Sequence, residues 1–154
     1  MKPKSNLDAA KALGTLRLFL NPNQRRCLAD LCRSEERQYF VDKLCELADL
    51  VAAMPHTYGQ EGKANQTVAY LHYFTAGMDC WITEKDVSAN DGTPAEQGHH
   101  QAFGLACMGY EEEIGYISLV EWLANGAELD LHFKPQTLEE LQRSRNRANV
   151  LTQA

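Results

Sequence analysis

Apolar positions fall into three short helical stripes before residue 55 and into alternating or β-branched runs after it. Ser5 or Asn6 can cap a first helix, with Asp8 near its positive end, and Leu13, Leu16 and Leu20 continue its apolar face. That pattern stops at Asn21-Pro22-Asn23, where Asn21 reads as a cap and Pro22 as the first turn of a second helix carrying Cys27, Leu28 and Leu31. Ser34 is read as the cap of a third helix, with Glu35 and Glu36 in its first turn. Phe40, Leu44, Leu47 and Val51 follow at spacings of four, three and four, one stripe that Pro55 closes. Stripes this short predict a helical layer packed on another element rather than a coiled coil or a membrane helix.

After Pro55 the period changes. Residues 67–74 (TVAYLHYF) are rich in β-branched and aromatic side chains and predict a strand; AGMD reads as a turn and residues 80–86 as its hairpin partner. Residues 87–100 read as a long polar loop. Strands are predicted again at 101–108 and 114–118, with GYEEE as the turn between them. Ser118 can cap a short helix over LVEWLAN, which Gly126 ends. ELDLHF (128–133) alternates, placing Leu129, Leu131 and Phe133 on one face and Glu128, Asp130 and His132 on the other. Thr137 and Glu140 form a capping box for a last helix. The expected fold is one α+β domain over 1–154: a helical layer at 1–55, then an antiparallel sheet of four to five strands with an embedded helix and a C-terminal helix. The helices should pack on one face, the N-terminal ones against Leu129, Leu131 and Phe133.

A chain of 154 residues with 44% hydrophobic and 23% charged residues has the composition of a folded domain. No apolar run reaches the ~20 residues of a membrane span, and the first residues lack a signal-peptide pattern, so a cytoplasmic protein is expected. Five scattered cysteines without a C-x-x-C fit a reducing compartment and indicate neither a zinc knuckle nor a redox pair. The net charge of −6 is unevenly spread. Residues 56–133 hold two Lys/Arg against twelve Asp/Glu, a balance of −10, while 1–55 and 134–154 each come to +2. Such a middle region repels nucleic acid and attracts basic partners.

Motifs for chemistry are sparse. GQEGK lacks the spacing and hydroxyl of a phosphate loop, no G-x-S-x-G or H-E-x-x-H occurs, and nothing calls for a cofactor. His99-His100 stand in the polar loop. Asp130 and His132, two apart on a predicted strand, could share a metal, with His72 joining if the two strands are neighbours. An enzyme using carboxylates and His132, with or without a divalent metal, on a phosphate- or ribose-containing substrate is therefore the alternative functional reading. Arg143, Arg145 and Arg147 are the one candidate phosphate contact, and a solvated final helix accounts for them equally well, so direct nucleic-acid binding is not expected.

CWITEKD, FGLACMGYEEEIGYISLVEWL and ELDLHF together resemble a small uncharacterised domain family of conjugative plasmids and phage-like elements. The likeness runs through Trp81, Thr83, Glu84, Phe103, Gly104, Leu105, Glu113, Gly115, Tyr116, Ser118, Glu121, Asp130, Leu131 and Phe133, over about residues 67–135. The resemblance implies a mobile-element setting and imports no activity. Together with the charge it leads to the primary expectation: a non-enzymatic acidic interaction protein that occupies a basic, nucleic-acid-binding surface of a host defence or DNA-processing complex. The candidate patch is Asp86, Asp91, Glu111, Glu112, Glu113, Glu128 and Asp130, with Tyr110 as its aromatic anchor.

Overall fold

The computed structural model describes residues 2–86, 101–109 and 111–153, the stretch 147–153 by its backbone. Helix α1 (Asn6–Thr15) starts at Ser5, whose side chain and Asp8 exchange the two bonds of a capping box. A single 3-10 turn (Arg17–Phe19) leads to α2 (Pro22–Leu31), capped by the Asn21 side chain. Helix α3 (Arg37–Ala53) begins later than the sequence predicts. The Ser34 hydroxyl donates to the Leu31 carbonyl at 2.7 Å and accepts from the Glu36 amide, closing a local turn, so the helix starts three residues on without a side-chain cap.

The sheet has the order β5-β4-β3-β2-β6, antiparallel throughout: β2 (Leu71–Thr75), β3 (Met78–Glu84), β4 (Gln101–Met108), β5 (Glu111–Ser118) and β6 (Glu128–Leu129). The predicted first strand is split. Val68–Ala69 (β1) leaves the main sheet to pair with Gln136–Thr137 (β7), next to α5 (Leu138–Gln153). The β2–β3 turn is only Ala76-Gly77, where Gly77 has a φ of +74 that an L side chain adopts at a cost, so Met78 and Asp79 belong to the strand. Between β5 and β6 lies α4 (Leu119–Ala124), capped as expected by Ser118.

The architecture is α+β, with the helical part N-terminal. Leu16, Phe19, Leu28, Leu44 and Val51 from the helical layer pack against Leu71, Tyr73, Ile82, Ile117 and Leu129 from one sheet face. Each fully buried large apolar side chain there contributes about 1.5–3 kcal/mol. The buried Tyr73 hydroxyl donates to the Phe19 carbonyl at 2.6 Å and fixes the sheet to the helices. A smaller cluster of Trp81, Leu105 and Cys107 covers the opposite face, under Leu138 and Leu141 of α5. The sheet is therefore covered on both sides, by the N-terminal helices on one and by α5 over part of the other. ELDLHF stays extended only for two residues. Leu129 and Leu131 pack with the N-terminal helices as expected, but Phe133 turns to the second cluster beside α5.

Candidate functional site

Strand pairing of β2 with β6 brings His72 to Asp130, and pairing of β2 with β3 brings it to Asp79. His72 Nδ1 lies 3.0 Å from Asp130 Oδ2 and Nε2 lies 2.8 Å from Asp79 Oδ1. Ionised carboxylates only accept, so both bonds form at once only when both ring nitrogens carry protons. Burial pushes the Asp130 carboxyl up, but the His72 ring and the His132 backbone N–H together outweigh it and hold it below the usual value. The His72 ring stacks on Trp81 with centroids 4.9 Å apart, and the Arg145 guanidinium lies 4.7 Å from the Trp81 ring centroid. The group ties β2 to β3 and to the residue that follows β6.

His132 does not join it. Its backbone N–H donates to Asp130 Oδ1, while its side chain is exposed beside α3, in a mixed-charge hollow with Lys43, Glu46, Asp49 and Lys134. The strand alternation that placed His132 beside Asp130 ends at Leu129. Among the described residues no group of three or more His, Cys, Asp or Glu is placed to hold a metal ion. Of the C-terminal arginines, Arg143 stays exposed and pairs with Glu139 on its own helix at 2.8 Å, while Arg145 pairs with Glu112 across to β5. The Arg147 side chain lies outside the described residues.

The acidic candidates divide into separate places. Glu111, Glu112 and Glu113 belong to strand β5, not to a turn; Glu112 shares the face of Cys107 and Arg145, and its two neighbours point the other way. Glu128 stands on β6, four interstrand spacings away, about 19 Å. Asp130 lies beyond it, tied to His72. Asp86 accepts from the Gln101 amide at 2.9 Å, at the end of the sheet remote from Glu111 and about 23 Å along β5 from it. Asp91 and Tyr110, like His99-His100, lie outside the described residues. The structure therefore keeps Glu111 and Glu113 on one face, turns Glu112 to the other, and does not bring Asp86, Glu128 or Asp130 to them.

The two edges of the sheet are treated differently. The β6 edge is closed by α2: Gln24 exchanges two 2.8 Å bonds with the Leu129 backbone, and Asn21 donates to the Ala127 carbonyl. Among the described residues no strand pairs with the outer edge of β5. That strand also carries exposed apolar side chains, Ile114 at 60% and Tyr116 at 57%. Open edges are normally blunted or covered.

Beside β5 lies a cavity of about 500 Å³, between the 57–67 segment, the end of β3, the start of β4 and the first turns of α5. Its position follows from a bulge in β3. The register with β4 shifts between Ile82 and Glu84, so Thr83 and Glu84 both border the cavity. Gly104 permits this close pairing, since any side chain there would meet the Trp81 carbonyl. Gln60 holds the other wall, donating to the carbonyls of Val68 and Thr83 and accepting from the Val68 amide. Next to Glu84, Lys85 points away and donates to the Val51 and Ala52 carbonyls at the end of α3. The Lys85 backbone bonds Pro55 and Thr57, which sets the position of Tyr58. Tyr58 has a left-handed φ of +72, and its hydroxyl lies 2.6 Å from that of Tyr116 at the mouth, a contact that pushes the Tyr116 phenol up. Sequence reasoning did not foresee this cavity, although four of its lining residues, Thr83, Glu84, Phe103 and Gly104, stand in the motif that carries the resemblance.

No helix among the described residues is long and apolar enough to cross a membrane. No family model, no curated protein and no solved structure matches this chain.

Proposed function

We propose that this protein is a non-enzymatic interaction protein that binds a basic segment of a partner protein along the open edge of β5. The carrying observation is the asymmetry of the sheet: α2 side chains close the β6 edge, while no strand among the described residues pairs with the outer edge of β5, which carries the exposed Ile114 and Tyr116. An extended segment of a partner can add to such an edge by backbone hydrogen bonds, with specificity from alternate side chains. Glu111 and Glu113 select for positive charge, and Ile114 and Tyr116 supply the apolar contact that charge alone does not. Protein surfaces that hold nucleic acid are basic, so the partner class proposed from the charge and the resemblance, a host defence or DNA-processing complex, is kept as part of this proposal. The enzyme reading is the less favoured one, because the His132 ring makes no hydrogen bond to Asp130 among the described residues and His72 is held between Asp79 and Asp130.

Selection of a random peptide library against the protein tests this, with counter-selection on the Glu111→Lys, Glu113→Lys double variant. Peptides of net positive charge that bind wild type at least about tenfold more tightly than the variant are expected, since each 1.4 kcal/mol is a factor of ten. Selected peptides without positive charge, or with equal affinity for both proteins, would count against the β5 edge.

A further inference from the structure

We infer that the cavity beside β5 is a receptor for a cationic group, a guanidinium or ammonium on an apolar stem. Glu84 borders the cavity yet is only 4% exposed. Its one side-chain hydrogen bond among the described residues comes from the Thr83 hydroxyl, at Oε2. That hydroxyl has a single proton and a second acceptor, the Phe103 carbonyl at 3.1 Å. A carboxylate that can accept about four hydrogen bonds thus shares one donor. Buried carboxylates are ordinarily paired or multiply hydrogen-bonded, and here the described residues supply neither. Lys85, adjacent in sequence, is committed to the end of α3 on the other side.

The rest of the cavity suits the same ligand. No Lys, Arg or His lines it among the described residues, and Glu61 adds a second carboxylate at its rim. Tyr58 and Phe103 present aromatic surface, and the Tyr116 ring packs edge-on against Phe103 at 5.5 Å. Aromatic faces attract cations, and a charge-assisted bond to a shielded carboxylate gives orientation as well as strength. Ile114 and Leu138 provide the apolar contact for a stem, and the volume lies within the range of small-molecule sites.

The cation can be carried by an arginine or lysine of the partner lying along β5, or by a free alkyl amine or guanidine. Only the first source rests on the function proposed above. The test uses n-butylguanidinium and its neutral counterpart n-butylurea, titrated into the isotopically labelled protein and followed by amide chemical shifts. Saturable shifts at Tyr58, Thr83, Glu84, Phe103 and Ile114 are expected with the cation, and binding of the urea at least about tenfold weaker. Glu84→Gln, a change of nearly equal shape, should weaken the cation at least about tenfold, while Glu46→Gln, on the exposed face of α3, should change it less than about threefold. A selected basic peptide with one arginine replaced by neutral citrulline then assigns the source. Selective loss of affinity on wild type but not on Glu84→Gln places the partner's arginine in the cavity; no loss, with butylguanidinium still bound, assigns a free cation. Equal binding of butylurea and butylguanidinium to the wild-type protein would overturn the inference, as would no saturable shift at these residues. The wild-type comparison holds even if Glu84→Gln fails to fold.

Discussion

Replacing Lys85 with methionine removes a charge at 0% exposure while keeping most of its apolar stem. The ammonium donates to the Val51 carbonyl at 2.7 Å and to the Ala52 carbonyl at 3.1 Å, in the last turn of α3, where the helix dipole favours a cation. Losing these donors costs about 1–3 kcal/mol for each carbonyl left without a replacement partner. The relief of no longer burying an ammonium offsets part of this, and the net expectation is a loss of about 2 kcal/mol. Urea denaturation at neutral pH should show it as a midpoint lowered by about 1 M for a slope near 2 kcal/mol/M. The pH dependence supplies a second check. Burial holds the Lys85 ammonium below its ordinary value of 10.5. Between the lowered value and 10.5 the unfolded chain binds more protons than the folded one, so wild-type stability gains with rising pH from this group. The gap between wild type and Lys85→Met should therefore widen as pH rises toward 10.5. A variant within about 0.5 kcal/mol of wild type, or a gap that narrows over that window, would refute the reasoning.

Gly104→Ala should cost about 3 kcal/mol and lower Tm by about 10 °C in a calorimetric scan, because the new methyl meets the Trp81 backbone and forces β3 from β4 at the bulge. Asp130→Asn should cost about 1 kcal/mol at pH 7. Because the folded Asp130 carboxyl lies below its unfolded value of 3.8, that contribution is complete above about pH 5 and disappears as pH falls through the folded value, so stabilities of variant and wild type should converge in acid. Tyr58→Gly relieves a left-handed backbone worth about 1–2 kcal/mol and adds about 0.5–1 kcal/mol of unfolded-state entropy, leaving stability within about 1 kcal/mol of wild type. The same variant removes an aromatic wall of the cavity and should weaken butylguanidinium several-fold in the same titration.

The helices were legible where one side chain and one amide three residues on decide the matter: Ser5 with Asp8, Asn21 with Gln24, Ser118 with Glu121, Thr137 with Glu140. Ser34 carries the same signature but spends its hydroxyl on Leu31, a competition that sequence does not display. Glu111–Glu113 read as a turn because an edge strand with both faces wet has no reason to alternate. Asp79 read as a turn residue because the hairpin is closed by two residues rather than four. Its meeting with His72 and Asp130 depends on strand order, across 58 residues in the case of Asp130. Glu84 needed the bulge, which only the register with β4 makes visible. Charge counting along the chain located the acidic region but could not see that β6 and β5 are opposite edges of one sheet.

The central claim is that β5 is the binding edge. Amide hydrogen exchange on the protein, free and saturated with a selected basic peptide, tests it most directly. A strand added there gives the outward-facing amides of residues 111–118 backbone partners, so their exchange should slow, by a factor of ten for each 1.4 kcal/mol gained, while residues 128–129 stay unchanged. Protection at the β6 edge or on the helical layer, with β5 exchanging as in the free protein, would contradict the account.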